Sequence, residues 1–209
     1  MILMAFPLFT LNELMDIIIM VAFLGFIFKD VFKAPMYEAP DDPEFYLKTY
    51  NGGFDWHGFK FAVLVTAPAV LFHELGHKFV AMAFGMVAQF KAAYIWLALG
   101  AILKLAGVGF IFVVPAYVSW GCSSTDASCM ALLQSSPWVG ALIAVAGPAV
   151  NLLIWLLIAY LLKEEKIPSK YVALAVLTKN INKFLFIFNM IPIPGFDGFH
   201  FFSRLLAMV

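Results

Sequence analysis

Charge is scarce in this 209-residue chain, with 12% of residues charged and 64% hydrophobic, where soluble domains carry about 25% and about 45–50%. With a mean hydropathy of +0.94, that composition excludes an ordinary soluble domain and implies a membrane protein. No sign of charge is in excess, since 13 Lys plus Arg balance 13 Asp plus Glu. A basic surface for phosphates is therefore missing, and no nucleic acid is expected as a partner. Spans of about 20 residues each leave little room for a large soluble domain. The N-terminus lacks a basic stretch and a small-residue cleavage site, so the first span is expected to be retained. Cysteine is nearly absent. Cys122 and Cys129 share one polar loop, a spacing that suits a small disulfide loop or two free thiols and does not resemble a zinc knuckle. Internal repeats and low-complexity tracts are also missing.

What is present is a series of apolar runs. Leu11 to Phe28 reads as a first span of about 27 Å, with Glu13 and Asp16 expected near its watery end. Residues 29–57 read as an extramembrane loop broken by Pro35, Pro40, Pro43 and the Gly52-Gly53 pair. A second span over 58–85 carries His73, Glu74, His77 and Lys78. Residues 119–136 form a polar loop, Pro137 to Leu162 a third span, and 171–191 a fourth, ending where two prolines and two glycines forbid a continuing helix. Residues 92–118 are ambiguous, helical in their first half and strand-like around 108–116. One full crossing there would invert the spans that follow, so a re-entrant segment is expected. The fold class is an all-α membrane protein, a polytopic bundle of about four main spans with a membrane-embedded or re-entrant strand-containing segment between the second and third. The expected organisation is a span and loop over 1–57, a membrane core over 58–200 and a short tail over 201–209.

In His73-Glu74-Leu75-Gly76-His77 the histidines stand at i and i+4, so on a helix both rings leave one face and can bind one zinc ion. Glu74, rotated by about 100° from His73, is better placed to take a proton from water at the metal than to bind the metal itself. Ionisable groups at a helix centre cost about 2.5–3.5 kcal/mol each on insertion scales, and four sharing one segment call for a compensating metal and water. The alternative is a set of satisfied interior groups, paired with Lys78, in a transporter or a scaffold. Catalytic zinc takes three protein ligands. Asp197 is the leading third candidate, because its proline-broken approach can turn a carboxylate towards a neighbouring helix; His57 and His200 are the rivals. Asn151, an amide in an apolar span, is expected to bond another helix or an exposed carbonyl.

Three separated motifs together resemble the site-2 protease family of intramembrane zinc metalloproteases. They are His73-Glu74-x-x-His77 followed by Ala81 and Gly85, then Gly147-Pro148-x-x-Asn151, then Asn189-x-x-Pro192-x-Pro194-x-x-Asp197-Gly198. The resemblance implies that His73, His77 and Asp197 bind zinc, that Glu74 activates water, that Asn189 positions the substrate or stabilises the oxyanion, and, to a lesser degree, that Asn151 does the same. It implies hydrolysis of peptide bonds within or near transmembrane segments of membrane-protein substrates, by a multi-pass protein of the cell membrane in contact with the lipid bilayer. The competing functions are a non-catalytic zinc-binding membrane scaffold and an ion transporter. Two departures stand out. The segment 92–118 is long, and the chain stops twelve residues after Asp197, as expected of a minimal core.

Overall fold

The computed structural model describes residues 7–32, 53–108, 114–123 and 125–208. Its elements in chain order are α1 (Leu11–Phe28), α2 (Trp56–Ala83), β1 (Val87–Ala92), α3 (Tyr94–Leu105), β2 (Ala116–Gly121), α4 (Ala127–Ser135), α5 (Pro137–Lys163), α6 (Ser169–Asn189) and α7 (Asp197–Leu206). Among the described residues α1, α2, α5 and α6 are long and apolar enough to cross a membrane. The protein is a polytopic helical membrane protein with one small sheet, and the four spans fall within two residues of their expected bounds.

Local chemistry explains where the elements begin and end. Thr10 caps α1, its hydroxyl accepting from Glu13 N while the Glu13 carboxylate accepts from Thr10 N at 2.8 Å; this reciprocal bonding satisfies two amides that a helix start leaves bare. Asp55 caps α2 by accepting from Gly58 N at 2.8 Å. The turn from α2 to β1 passes through Gly85 at φ +77°, a conformation that favours glycine. α3 has twelve residues, about 18 Å of helix, which is too short to cross.

The strands lie elsewhere than expected. They occupy Val87–Ala92 and Ala116–Gly121, whereas Val108, Val114 and Pro115 carry no strand and residues 109–113 fall outside the described ones. β1 falls almost wholly between the second span and the ambiguous segment, where the sequence reading assigns no element, because its alternation rests on small residues, Ala88 and Ala92 flanking Phe90. Phe90 pairs with Val118 in an antiparallel register. Ala88, Phe90, Ala92 and Ala116 are buried against the helices, while Gln89 and Ser119 pair on the opposite face. A cleft of about 450 Å³ opens on that polar face beside Asn12, Asp16, Gln89, Lys91, Tyr94 and Tyr117.

The two outer edges of the sheet are treated differently. On β1, Phe90 N donates to Glu13 Oε1 at 2.7 Å and Ala88 O accepts from Lys78 Nζ at 3.1 Å, while Lys78 and Glu13 form a buried ion pair. The pair thus serves β1 as a neighbouring strand would, one acceptor and one donor closing the edge. Glu13, expected near a watery end, is 3% exposed; the partner that compensates its burial, Lys78, lies 65 residues away in sequence.

α5 is the centre of the bundle, packing on α2, α6 and α7, while α1 packs on the other side of α2. Small residues let α2 and α5 approach: a Cβ on Gly76 would stand 2.8 Å from Ala146 O. Arg204 of α7 lies 5.7 Å from the Trp120 ring and against Gly140, tying α7 to β2 and α5. The expected C-terminal tail is therefore largely helix. Within the polar loop 119–136, α4 was unforeseen; Asp126 caps it by accepting from Cys129 N at 3.0 Å, and Cys122 and Cys129 are joined as a disulfide.

Candidate metal centre

α2 brings His73, Glu74, His77 and Lys78 to the interior, each no more than 7% exposed. His73 and His77 leave the face turned to α5, and Asp197, the first residue of α7, meets them there. His73 Nε2 lies 3.1 Å from Asp197 Oδ2, His77 Nε2 3.3 Å from the same oxygen, and the two Nε2 atoms 3.2 Å from each other. Zinc–nitrogen and zinc–oxygen bonds of about 2.0–2.1 Å in a tetrahedral shell place donors about 3.3 Å apart, so the three atoms already have the spacing of three corners. Among the described residues no other group of three or more such side chains clusters in this way.

The far sides of both rings decide what faces inward. His77 Nδ1 lies 2.7 Å from Ile143 O, and a carbonyl can only accept, so Nδ1 carries the proton. His73 Nδ1 lies 2.6 Å from Asn151 Oδ1. Asn151 Nδ2 donates to Ala69 O at 3.0 Å and to Asn182 Oδ1 at 2.8 Å, which leaves its oxygen as the acceptor for His73. With both Nδ1 atoms protonated, two neutral imidazoles direct bare Nε2 lone pairs at one point beside a carboxylate. Three lone pairs with no proton among them fit a divalent cation held by nitrogen and oxygen donors, which suits zinc.

Glycine makes room for this arrangement. A Cβ on Gly147 would stand 2.8 Å from His73 Nε2 and nearer still to His77 Nε2, so the α5 backbone approaches directly against the rings. Glu74 faces the backbone N–H of Val118 on β2 and lies within electrostatic reach of His73, His77 and Asp197.

The remaining sequence candidates take other positions. His57 sits in the first turn of α2, not in the loop, and is exposed; His200 is exposed on α7 beside Phe199. Neither joins the cluster. Asn189 ends α6, half-buried, with no described residue bonding its side chain. Asn151 bonds other helices and a backbone carbonyl, as an amide in an apolar span is expected to, and does not present its amide as the substrate role implied by the resemblance would require. Both of its amide protons are spent on Ala69 and Asn182 and its oxygen on His73, so it stands behind a ring and has no donor left for an oxyanion. Asp16 accepts from the Tyr94 hydroxyl, away from the cluster.

Asn182 escaped sequence reasoning altogether. A buried amide in a span is itself a signal, but Asn180, Lys179 and Lys183 beside it disguise it as part of a polar stripe.

Comparison with known proteins bears on the same residues. The model of peptidase family M50 matches residues 61–172, a stretch that includes His73, Glu74, His77 and Asn151 and stops short of Asp197. Two relatives carry the name "putative zinc metalloprotease". One, from Methanocaldococcus jannaschii, is 33% identical over 140 residues, covering 67% of this chain and 68% of the relative. The other, from Synechocystis sp., is 26% identical over 148 residues, covering 71% of this chain but 32% of the relative. No solved structure matches the chain significantly. More than half of the chain matches the family model, and that match holds both histidines and the glutamate between them: the chain belongs to peptidase family M50.

Proposed function

We propose that the protein is an intramembrane zinc metalloprotease that hydrolyses peptide bonds within or near transmembrane segments of membrane-protein substrates. The observation that carries this reading is the convergence of two bare Nε2 atoms and the Asp197 carboxylate, with Glu74 one residue from the first ligand and free of the ligand set. His73, His77 and Asp197 would hold the ion. A zinc bound there supplies Lewis acidity towards a carbonyl and a lowered pKa for water. Glu74 takes the proton from the attacking water and delivers it to the departing amine. Asn189, at the end of α6 and with its amide uncommitted to any described residue, is the candidate to orient the substrate or donate to the oxyanion.

A substrate helix hides its carbonyls in its own hydrogen bonds and must unwind before attack. The sheet offers a place for the unwound segment. Because Phe90 N points outward to Glu13, its antiparallel partner Val118 also points its peptide groups away from the pair, towards the opposite edge. That edge of β2 runs past Glu74 and is free of the ion pair that closes β1, so an extended peptide adding to it would lie alongside the proton acceptor.

The protein is proposed to act in the cell membrane, with the lipid bilayer and a transmembrane substrate as its partners. The test is metal analysis of purified protein together with cleavage of a model membrane substrate by wild type and Glu74→Gln. Zinc at one per chain with cleavage lost only in the variant supports the protease. Zinc without cleavage in either form would leave a binding scaffold, and no zinc with cation flux in vesicles a transporter.

A further inference from the structure

We infer that Asn182 is a positioning residue for the metal centre, acting through Asn151 on His73; the inference rests on the metalloprotease reading. The chain of bonds runs from α6 through α5 to α2. Asn182 Nδ2 donates to Thr178 O at 2.8 Å, Asn182 Oδ1 accepts from Asn151 Nδ2 at 2.8 Å, and Asn151 Oδ1 accepts from His73 Nδ1 at 2.6 Å. Asn151 and Asn182 are both 0% exposed. The direction of every bond is set at its ends by backbone carbonyls, Thr178 O and Ala69 O, which only accept. Turned over, the Asn151 amide would present NH₂ to His73, and Nδ1 would have to give up its proton to accept. The proton would then move to Nε2, the atom that faces His77 and Asp197.

Asn182 opposes that inversion. With Asn182 in place, a turned Asn151 would set its oxygen against Asn182 Oδ1 and Ala69 O, losing two hydrogen bonds and leaving buried acceptors without donors. Asn182 thus selects the tautomer of His73 that leaves Nε2 bare, although it touches neither the ring nor any atom of the ligand set. It also fastens α6, whose Asn189 lies seven residues on, two turns along the same face, to the helix that carries both histidines.

The experiment compares zinc affinity, by competition with a chromophoric chelator, for the full chain in detergent as wild type, Asn182→Ala and Asn182→Asp, with thermal unfolding of the metal-free forms in parallel. Asn182→Ala removes the acceptor and is expected to raise the zinc Kd about tenfold, the lower end of the effect of outer partners on metal sites. Asn182→Asp keeps an oxygen in place for Asn151 Nδ2 and should bind zinc within about threefold of wild type, even where burial of its carboxyl lowers the unfolding temperature. Cobalt-loaded wild type and Asn182→Asp should share one ligand-field spectrum that Asn182→Ala does not. Wild-type affinity in Asn182→Ala, with or without a loss of stability, would reduce Asn182 to helix packing and overturn the inference, as would equal weakening by Ala and Asp. Failure of the wild type itself to bind zinc would remove the metalloprotease reading and this inference with it, an outcome distinct from both.

Discussion

His77 and Lys78 are neighbours in sequence, both buried in the same helix, yet they serve two clusters that solve the burial of polar groups in opposite ways. Lys78 turns to α1 and β1, where its ammonium meets the Glu13 carboxylate and Ala88 O, and Glu13 in turn accepts from Phe90 N and Thr10 N. Charges cancel there and each donor faces an acceptor. His77 turns to α5, where its Nε2 faces another nitrogen and a carboxylate oxygen, three acceptors and no donor. A closed network stabilises a fold. An open one, with donors missing at a single point, has room for a cation.

Breaking the open cluster should give the largest effects, and on activity. Glu74→Gln should lower cleavage by about 10²–10⁴-fold, the range of general base catalysis, with zinc stoichiometry near wild type. His73→Ala or His77→Ala should lose zinc and cleavage together, since two protein ligands make a poor site. Asp197→Asn should weaken zinc and reduce activity further than Asn189→Ala, which should keep its metal. Metal analysis and a cleavage assay on each preparation check all five; retention of full zinc by Asp197→Asn would remove it from the ligand set.

The closed cluster should respond in stability alone. Lys78→Met strands the Glu13 carboxylate in a buried place, and removing one partner of a buried pair costs about 3–5 kcal/mol. The double variant Glu13→Gln, Lys78→Met keeps an acceptor for Phe90 N without a charge and should recover most of that loss. Unfolding by denaturant in detergent measures both, and zinc per folded chain should stay constant across the series. If Lys78→Met instead empties the metal site while unfolding at wild-type denaturant concentration, the two clusters are not separable. Gly147→Ala bears on the open cluster from the α5 side. Its methyl has backbone on one side and both imidazoles on the other, so it should cost about 1–3 kcal/mol as overpacking does and weaken zinc as well, whereas Gly85→Ala, with nothing within 4 Å, should be felt only through its backbone.

The same contrast separates what could be read in the sequence from what could not. The open cluster was legible because its chemistry is local: an i, i+4 histidine pair needs only a helix, and an aspartate after a proline-broken span stands out among apolar residues. The closed cluster was not, because Glu13 acquires its meaning from Lys78, 65 residues on, although Thr10 and Glu13 already spelled the spacing of a capping box. The spans were legible from hydrophobic length. β1 was not, because Ala88 and Ala92 are too small to mark a buried face, and neither was the depth of Asn151, since an amide in a span bonds a neighbour in many ways and only the packing chose His73.

A second ion pair, on the surface, gives the scale its lower end. Lys104 Nζ meets Asp30 Oδ2 at 2.8 Å and Ile27 O at 3.1 Å, at the end of α1; the Asp30 side chain is 61% exposed. The Lys104 ammonium, against mild burial and with help from Lys29, holds the Asp30 carboxyl below its ordinary value. Unfolding therefore raises its affinity for protons. The stability it contributes is fully present above the unfolded value of about 3.9 and is lost as pH falls from there through the lowered folded value. Screening keeps such an exposed pair within about 0–1 kcal/mol. Asp30→Asn should accordingly lower the unfolding midpoint slightly at pH 7, less in 1 M salt, and by nothing once wild type and variant are compared well below pH 3. A gap of constant size down to that pH would mean that Asp30 acts through packing and not through its charge, and the contrast between buried and exposed pairs would lose its exposed member.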